Sequence, residues 1–471
     1  MCGVFGIRAG DRDVARVTYF GLFALQHRGQ EAVGIAVADG ERLTVLRELG
    51  LVTQVFDERK LRGLPGQLAI GHTRYSTTGS SHWSNAQPLV QRGEARTLAL
   101  AHNGNVTNAG ALRAELRERG VRLQTSSDSE VVAALIANDP APLEDAVAGA
   151  MTRLDGAYSV AVLAEGNLLA FRDPHGFRPL SLGRLGDDWV VASETCALDL
   201  VGAELERDVN RGEIVVIDDE GCRGRSAVRP RGGALCIFEF FYLARPDSRL
   251  ADVEVHGARV RMGEALAREA PVDADLVMPI PDSGTPAAIG FSRTAEIPFT
   301  EGVIKNRYVG RTFIQPDQEM REHGIRLKFN PLAEVAGRRI VVVDDSIVRG
   351  NTTRQVVAML FDAGASEVHL RISSPPIVGQ CFYGIDLADE DELVASRRGV
   401  EEVRRRIGAT SLAHLSLAGL EEATARPPTT LCRACLTRDY PTAIPEHAAK
   451  LRFETTGARE PPVPARETVA T

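Results

Sequence analysis

Along the first half of the chain, short apolar runs of five or six residues alternate with stretches in which apolar positions recur every three or four residues. The runs 34–38 (GIAVA), 67–71 (QLAIG), 98–102 (LALAH), 158–163 (YSVAVL) and 213–217 (EIVVI) predict β-strands, with a Gly166-Asn167 hairpin signal after the fourth. The segments 14–26, 109–119, 129–137 and 143–154 carry the helical period. Strands and helices come in separate runs without regular βαβ alternation, which predicts a layered α+β domain.

The texture changes after residues 227–233 (AVRPRGG), where Arg, Pro and Gly suit an interdomain connection. The runs 275–279 (DLVMP) and 339–343 (RIVVV) are continuously apolar, end in acidic and small residues, and lead into helical patterns. Strands buried on both faces look like this in a parallel sheet, with helix N-termini at their carboxyl ends. Past Pro445 the chain is polar and proline-bearing, which predicts a frayed tail. The expected organisation is therefore 2–230, 231–445 and a disordered tail at 446–471. A chain of 471 residues with 44% hydrophobic content is too long for one compact core, in keeping with two domains.

Charge and composition narrow the function. The net charge of -8 is modest, and acids and bases are interspersed, so no basic face points to nucleic acid. No window approaches the roughly 20 apolar residues of a membrane span, and no secretion signal is present; a cytoplasmic protein with no membrane partner is expected. Seven cysteines on a long chain do not form the dense even framework of a small secreted domain, which favours thiol chemistry or metal binding. Lysine occurs only at Lys60, Lys305, Lys328 and Lys450.

The strongest local signal is RRIVVVDDSIVRGNTTRQVV, residues 338–357. A strand ends in Asp344 and Asp345, and Ser346, Arg349, Gly350, Thr352 and Thr353 lead into a helix, whose N-terminal N–H groups make an anion cradle with the hydroxyls. A capping loop would use similar residues, but the double acid and the spacing to glycine and threonine go further. The stretch resembles the phosphoribosyl pyrophosphate (PRPP) motif of type I phosphoribosyltransferases. That resemblance implies acids on the ribose hydroxyls, the loop on the 5′-phosphate, and Mg²⁺ held with Ser283 of the upstream DSG turn as well as Asp344 and Asp345. Between them, residues 302–330 are dense in Arg, Lys and Tyr and hold half of the lysines; Lys305, Arg307, Tyr308 and Lys328 are expected pyrophosphate ligands on a lid.

In the first half the landmarks are Cys2, QHRGQE, GHTRYST, AHNGN and SSDSE. Removal of Met1 would give Cys2 a free α-amine. With reference pKa values of about 8.5 for the thiol and 7.7–8.0 for the amine, nucleophile and base would share one residue. Asn103 with Gly104 offers oxyanion donors, Arg74 suits a carboxylate and Asp128 an ammonium: together, a site for free glutamine. Each feature alone reads as a surface ion pair, a helix cap or an accident. The ordered set resembles the N-terminal-nucleophile, or class II, glutamine amidotransferases across residues 2–230, which implies an αββα sandwich of two antiparallel sheets between helices.

A class II glutaminase followed by an α/β type I phosphoribosyltransferase domain resembles the amidophosphoribosyltransferase family. The resemblance implies glutamine-dependent displacement of pyrophosphate from PRPP, passage of ammonia between the sites, feedback by purine nucleotides, and a homo-oligomer, tetramer or dimer. Cys432 and Cys435 form a C-x-x-C pair, and Cys236 and Cys381 stand alone. Spacing leaves zinc and an iron–sulfur cluster equally open. The resemblance implies a [4Fe–4S] cluster on these four, tying the start of the second domain to its C-terminal segment. A PRPP-sensing regulator, or a glutaminase serving a separate partner, would use many of the same residues.

Overall fold

The computed structural model describes residues 2–76, 82–306, 328–387, 390–444 and 466–470. Cys2 leads directly into the strand Gly3–Arg8, which lies inside an eight-stranded antiparallel sheet, between Leu68–Arg74 and Asp188–Ala192. Alternation sorts this strand's side chains. Phe5 and Ile7 pack under the helices Val14–Ala24 and Thr195–Val201, whereas Val4 faces a second sheet. That six-stranded sheet has Thr97–Val106 and Gly156–Ala164 near one edge and meets the first through small side chains such as Ala36, Ala99, Ala101 and Ala161. Its outer face is covered by Ala109–Glu118, Asp128–Ala137 and Leu143–Arg153. The result is the expected αββα sandwich. Fully burying one Phe or Leu contributes about 1.5–3 kcal/mol, so three such layers readily fix a terminus that would otherwise fray.

Two local expectations need correction. The hairpin turn is Glu165-Gly166, not Gly166-Asn167. Both turn residues have positive φ, 50° and 72°, as a two-residue turn of the right twist demands, and Asn167 begins the next strand, with its amide donating to the Glu165 carbonyl at 2.8 Å. The tail is not wholly disordered either. Residues 445–465 lie outside the described part, but Arg466–Ala470 (RETVA) adds an antiparallel edge strand to Arg42–Leu49. An exposed edge offers unpaired backbone groups, and Val469 gains burial in the inter-sheet core.

In the second half, Leu276–Pro279, Arg339–Asp344, Glu367–Ile372 and Ser411–His414 form a parallel sheet in that order. Val341 and Val343 face Phe291 and Met262 on one side, while Ile340 and Val342 face Val356 and Leu360 on the other. Helices on both faces explain why these strands read as unbroken apolar runs. A short antiparallel pair, Val303–Lys305 with Phe329–Pro331, stands beside the sheet. Where the chain leaves the sandwich, Leu235–Cys236 pairs in parallel with Leu431–Cys432, and Glu239–Leu243 makes a π-helical turn.

Candidate active sites

Cys2 is buried, with its Sγ 3.5 Å from the Tyr75 carbonyl oxygen and its backbone N–H donating to Asn103 Oδ1 at 3.3 Å. Met1 lies outside the described residues. While a residue precedes Cys2 that nitrogen is an amide, so the expected base exists only after cleavage. Asn103 turns its Oδ1 to Cys2, and its buried Nδ2 has no hydrogen-bond partner among the described residues. A buried donor left unpaired beside a nucleophile is what an oxyanion needs. The adjacent Gly104 has φ +150°, and a Cβ there would stand 2.0 Å from the Ala157 carbonyl oxygen, so only glycine fits.

Arg74 ends the neighbouring strand, buried, with Nη1 3.4 Å from Glu31. Asp128 opens the helix Asp128–Ala137; its Oδ2 accepts the Val106 N–H at 2.8 Å, from the strand that carries Asn103 and Gly104. The five residues expected at a glutamine site therefore converge through adjoining strand ends. Beneath them, Gln87 accepts the His102 N–H at 2.8 Å and donates to Ser129 at 3.0 Å, and the His102 carbonyl is 3.0 Å from His72 Nε2. Burial drives His72 down to about 3, so its imidazole is neutral.

Sequence reasoning did not single out the cluster that holds Cys2 from behind. Arg28, fully buried, donates its Nε to the Cys2 carbonyl at 2.9 Å and gives its remaining N–H groups to Glu194 and to both oxygens of Glu239, at 2.9 and 3.1 Å. Burial opposes every charge here. Even so, Glu239 and Glu194 hold the guanidinium above its ordinary value, and His27 and Arg28 keep the Glu194 carboxyl below its own. Glu239 belongs to the second domain, and Arg178 reaches it at 3.4 Å while donating to the Tyr383 carbonyl at 2.6 and 2.9 Å.

The segment around Tyr383 also covers the residues expected to bind glutamine. Asn105 donates to the Phe382 carbonyl at 2.8 Å, Tyr75 donates to Asp386 at 3.3 Å, and a Cβ on Gly384 would lie 2.9 Å from the Gly104 carbonyl. Cys381 begins this segment. The Cα atoms of Cys236 and Cys432 are direct partners across the parallel pair, and all seven cysteines are free thiols. Burial pushes Cys236 up to about 11 and drives Cys432 and Cys435 higher, with the other thiols of the group adding to each shift. Three buried thiols, with the half-buried Cys381 within electrostatic reach of them, fit a group that would bind the four as thiolates. Among the described residues, no three His, Cys, Asp or Glu side chains are gathered as they would be around a single metal ion. Cys196 and Cys222 stand apart from the four, and burial raises both.

In the other domain, Asp344 and Asp345 end the central strand. The Asp345 N–H donates to Asp344 Oδ1 at 2.9 Å, and the hydroxyls of Ser346 and Ser283 both bond Asp345. Burial, and then Asp345, push the Asp344 carboxyl well above its usual range. Such an under-neutralised acid pair beside a hydroxyl fits a hard cation. Gly350, with φ +76°, caps the helix Asn351–Asp362 without a side-chain hydrogen bond, leaving first-turn N–H groups for an anion; Thr352 is exposed at the helix start and Thr353 is buried. Arg349 is engaged elsewhere, paired with Glu392 on the surface. Lys305 bonds Asp282, and Lys328 lies 5.3 Å over the Phe329 ring. Arg307 and Tyr308 fall outside the described residues. Arg259, missed from sequence, is buried between the sites: it donates to the carbonyls of Phe240 and Ala244 at 2.7 and 2.8 Å. Burial lowers it to about 10, with Asp345 foremost among the charges that oppose the drop.

A family profile described as "Glutamine amidotransferase domain" matches residues 72–200, and one described as "Phosphoribosyl transferase domain" matches residues 261–373. The amidophosphoribosyltransferase of Mycobacterium tuberculosis (strain ATCC 25618 / H37Rv) is 51% identical over 462 residues, covering 95% of this chain and 88% of its own. The chain belongs to the amidophosphoribosyltransferase family. Another amidophosphoribosyltransferase, from Synechocystis, is 51% identical over 463 residues, covering 96% of this chain and 94% of the relative. The solved glutamine PRPP amidotransferase from B. subtilis, complexed with ADP and GMP, superposes with a TM-score of 0.89 at 46% identity, over 95% of this chain and 98% of that one. Like its relatives in the amidophosphoribosyltransferase family, the chain is an enzyme that joins a glutamine amidotransferase domain to a phosphoribosyltransferase domain.

Proposed function

We propose that the chain hydrolyses glutamine at Cys2 and uses the ammonia to aminate PRPP, giving 5-phosphoribosylamine and pyrophosphate, the first committed step of purine synthesis. The observation that carries this reading is the placement of the second domain's 381–387 segment against Asn105 and Gly104, and of Glu239 on the Arg28 that holds the Cys2 carbonyl, which makes the two halves one apparatus.

On this reading Arg74 holds the glutamine carboxylate and Asp128 its ammonium. Cys2 Sγ attacks the amide carbon, and Asn103 Nδ2 with the Gly104 N–H takes the negative charge that develops on oxygen. The α-amine freed by removal of Met1 accepts the thiol proton and returns it to the leaving nitrogen. Ammonia departs, and water then cleaves the thioester to glutamate. At the other site the ammonia lone pair forms the bond to C1 of PRPP as the pyrophosphate oxygen leaves. Asp344 and Asp345 hold the ribose hydroxyls, while Ser346, Gly350, Thr352 and Thr353 hold the 5′-phosphate, which Arg349 would join only by leaving Glu392. Lys305, Lys328, Arg307 and Tyr308 serve the pyrophosphate. Mg²⁺ held by Ser283, Asp344 and Asp345 would offset the charge of the leaving group. A sheltered passage for ammonia avoids its protonation in bulk water.

We further propose a [4Fe–4S] cluster on Cys236, Cys381, Cys432 and Cys435, tying the start of the second domain to its end. Inhibition by purine nucleotides, supported by the ADP and GMP of the B. subtilis complex, and a homo-oligomeric state complete the reading. No helix among the described residues is long and apolar enough to cross a membrane, in keeping with a cytoplasmic enzyme. The test is pyrophosphate release from PRPP with glutamine or with ammonium as nitrogen source. Cys2→Ala should abolish the first and retain the second; failure of the wild-type chain to aminate PRPP from either source would leave a regulator or a partner-dependent glutaminase.

A further inference from the structure

The space between the two sheets stays open at one end. There the edge strand Leu89–Arg92 faces the C-terminal strand Arg466–Ala470, and residues 120–125 with Asn138 close the far side around a cavity of about 450 Å³. That volume lies within the range of small-ligand sites, about 300–1,000 Å³. None of the residues assigned above to glutamine or PRPP lines it.

Its polar wall brings Arg47, Arg92 and Arg122 together with Glu94, Glu130 and Glu467. Arg47 is only 4% exposed; its Nη1 donates to the Ala86 and Pro88 carbonyls at 2.8 and 3.0 Å. It forms no other hydrogen bond and no ion pair among the described residues, so a buried guanidinium is left without a carboxylate, an arrangement with a substantial desolvation cost. Glu130 does not supply one. It accepts the Gln124 and Thr125 N–H groups and the Thr125 hydroxyl at 2.5–3.0 Å.

Glu94, also in the wall, is exposed and pairs with no guanidinium among the described residues, which leaves Glu467. Strand alternation puts it on the same face as the core residue Val469, and its carboxylate pairs with Arg92 at 2.6 Å. Glu467 is also the first of the charges that oppose the fall of Arg47 below its ordinary value under burial. Arg122, exposed, has no hydrogen bond or ion pair among the described residues. The C-terminal strand thus inserts one carboxylate into a pocket with more guanidinium groups than that carboxylate can serve.

We propose that this cavity is a binding site for a small free carboxylate, with Glu467 as its tethered competitor. The wall formed by Gln124 and Thr125 runs on within three residues to Asp128, so an occupant bears on the segment that leads into the helix opened by this expected glutamine ligand. The inference does not depend on the reaction proposed above, and its test reads binding alone.

The probe is glutarate, which carries the glutamate side-chain carboxylate plus a second one, titrated by calorimetry into the full-length holoprotein. Removing a tethered competitor raises the affinity of a free one, so Glu467→Ala should bind one glutarate roughly tenfold more tightly than the wild type. Adding Arg92→Gln, at an exposed position, should reverse that gain, and dimethyl glutarate should not bind. Equal affinity in wild type and Glu467→Ala, absence of binding in Glu467→Ala, or binding indifferent to Arg92→Gln would each overturn the proposal.

Discussion

Glu239→Gln tests whether the second domain holds the nucleophile of the first. The side chain keeps its size but loses a charge from a fully buried group in which Arg28 and Arg178 are balanced by Glu194 and Glu239. Removing that carboxylate leaves Arg28 with Glu194 alone and Arg178 with no carboxylate in an ion pair among the described residues, and the new amide N–H faces donors. Breaking a buried ion pair from one side typically costs about 3–5 kcal/mol. For a domain of this size each kcal/mol lowers Tm by about 2–4 °C, so a fall of roughly 6–12 °C is the lower expectation. Because Arg28 Nε also holds the Cys2 carbonyl at 2.9 Å, its displacement should slow Cys2. The expected kinetic result is a roughly tenfold loss of glutamine-dependent turnover, about 1.4 kcal/mol, with ammonium-dependent amination of PRPP retained. The assay compares melting by calorimetry with both activities in the same preparation. A variant that melts within 2 °C of wild type, as judged against that slope, or that loses both activities together, would refute this role for Glu239.

Asn103→Ala removes the unpaired buried donor and should lower glutaminase kcat by roughly 100- to 1,000-fold with little change in KM, the effect of deleting one oxyanion donor; an unchanged kcat counts against the assignment. His72 supplies a pH signature. The unfolded imidazole takes up a proton below about 6.5 but the folded one only near 3, so its contribution is complete above pH 6.5 and declines as the pH falls toward 3. At pH 5 the loss is ~2 kcal/mol, and His72→Gln should flatten the stability profile between pH 7.5 and 5 in urea titrations. Cys435→Ser should leave purified protein with far less bound iron and little absorption near 400 nm, read by metal analysis and spectroscopy; a variant with full iron content would exclude Cys435 as a ligand.

The candidate site residues could be singled out because they stand in short, polar, unusual strings. Asp344-Asp345 ends an apolar strand, and Asn103-Gly104 interrupts another; in both, polarity stands where packing alone would not put it. The framework around them was legible where one period dominated, as in the helix Asp128–Ala137 and the strand Arg339–Asp344. The strand Arg466–Ala470 was hidden because its five residues carry only one apolar side chain that becomes buried, and its stability comes from a partner more than four hundred positions away. Long-range pairing leaves no local period.

Arg28, Glu194 and Glu239 were obscured for the opposite reason. Arg28 lies in the QHRGQE landmark, which shows no partner for it, and Glu194 stands in an ordinary-looking context, yet Glu239 in CIFEFFYL is a lone acid inside an aromatic run, and such an acid must find a cation or lose its charge on burial. That signal states the need for a partner without naming it. The partner is Arg28, 211 positions away, and only the fold brings the two within 2.9 Å. The same logic explains why the domain junction is polar behind Cys2, although Phe177 of the first domain stacks on Tyr383 of the second at 4.1 Å close by. An apolar contact would hold the halves together as firmly, but it would not orient the Cys2 carbonyl from one side and the 381–387 segment from the other through a single set of directional bonds. A site whose nucleophile is fixed by groups from both domains is sensitive to the state of each.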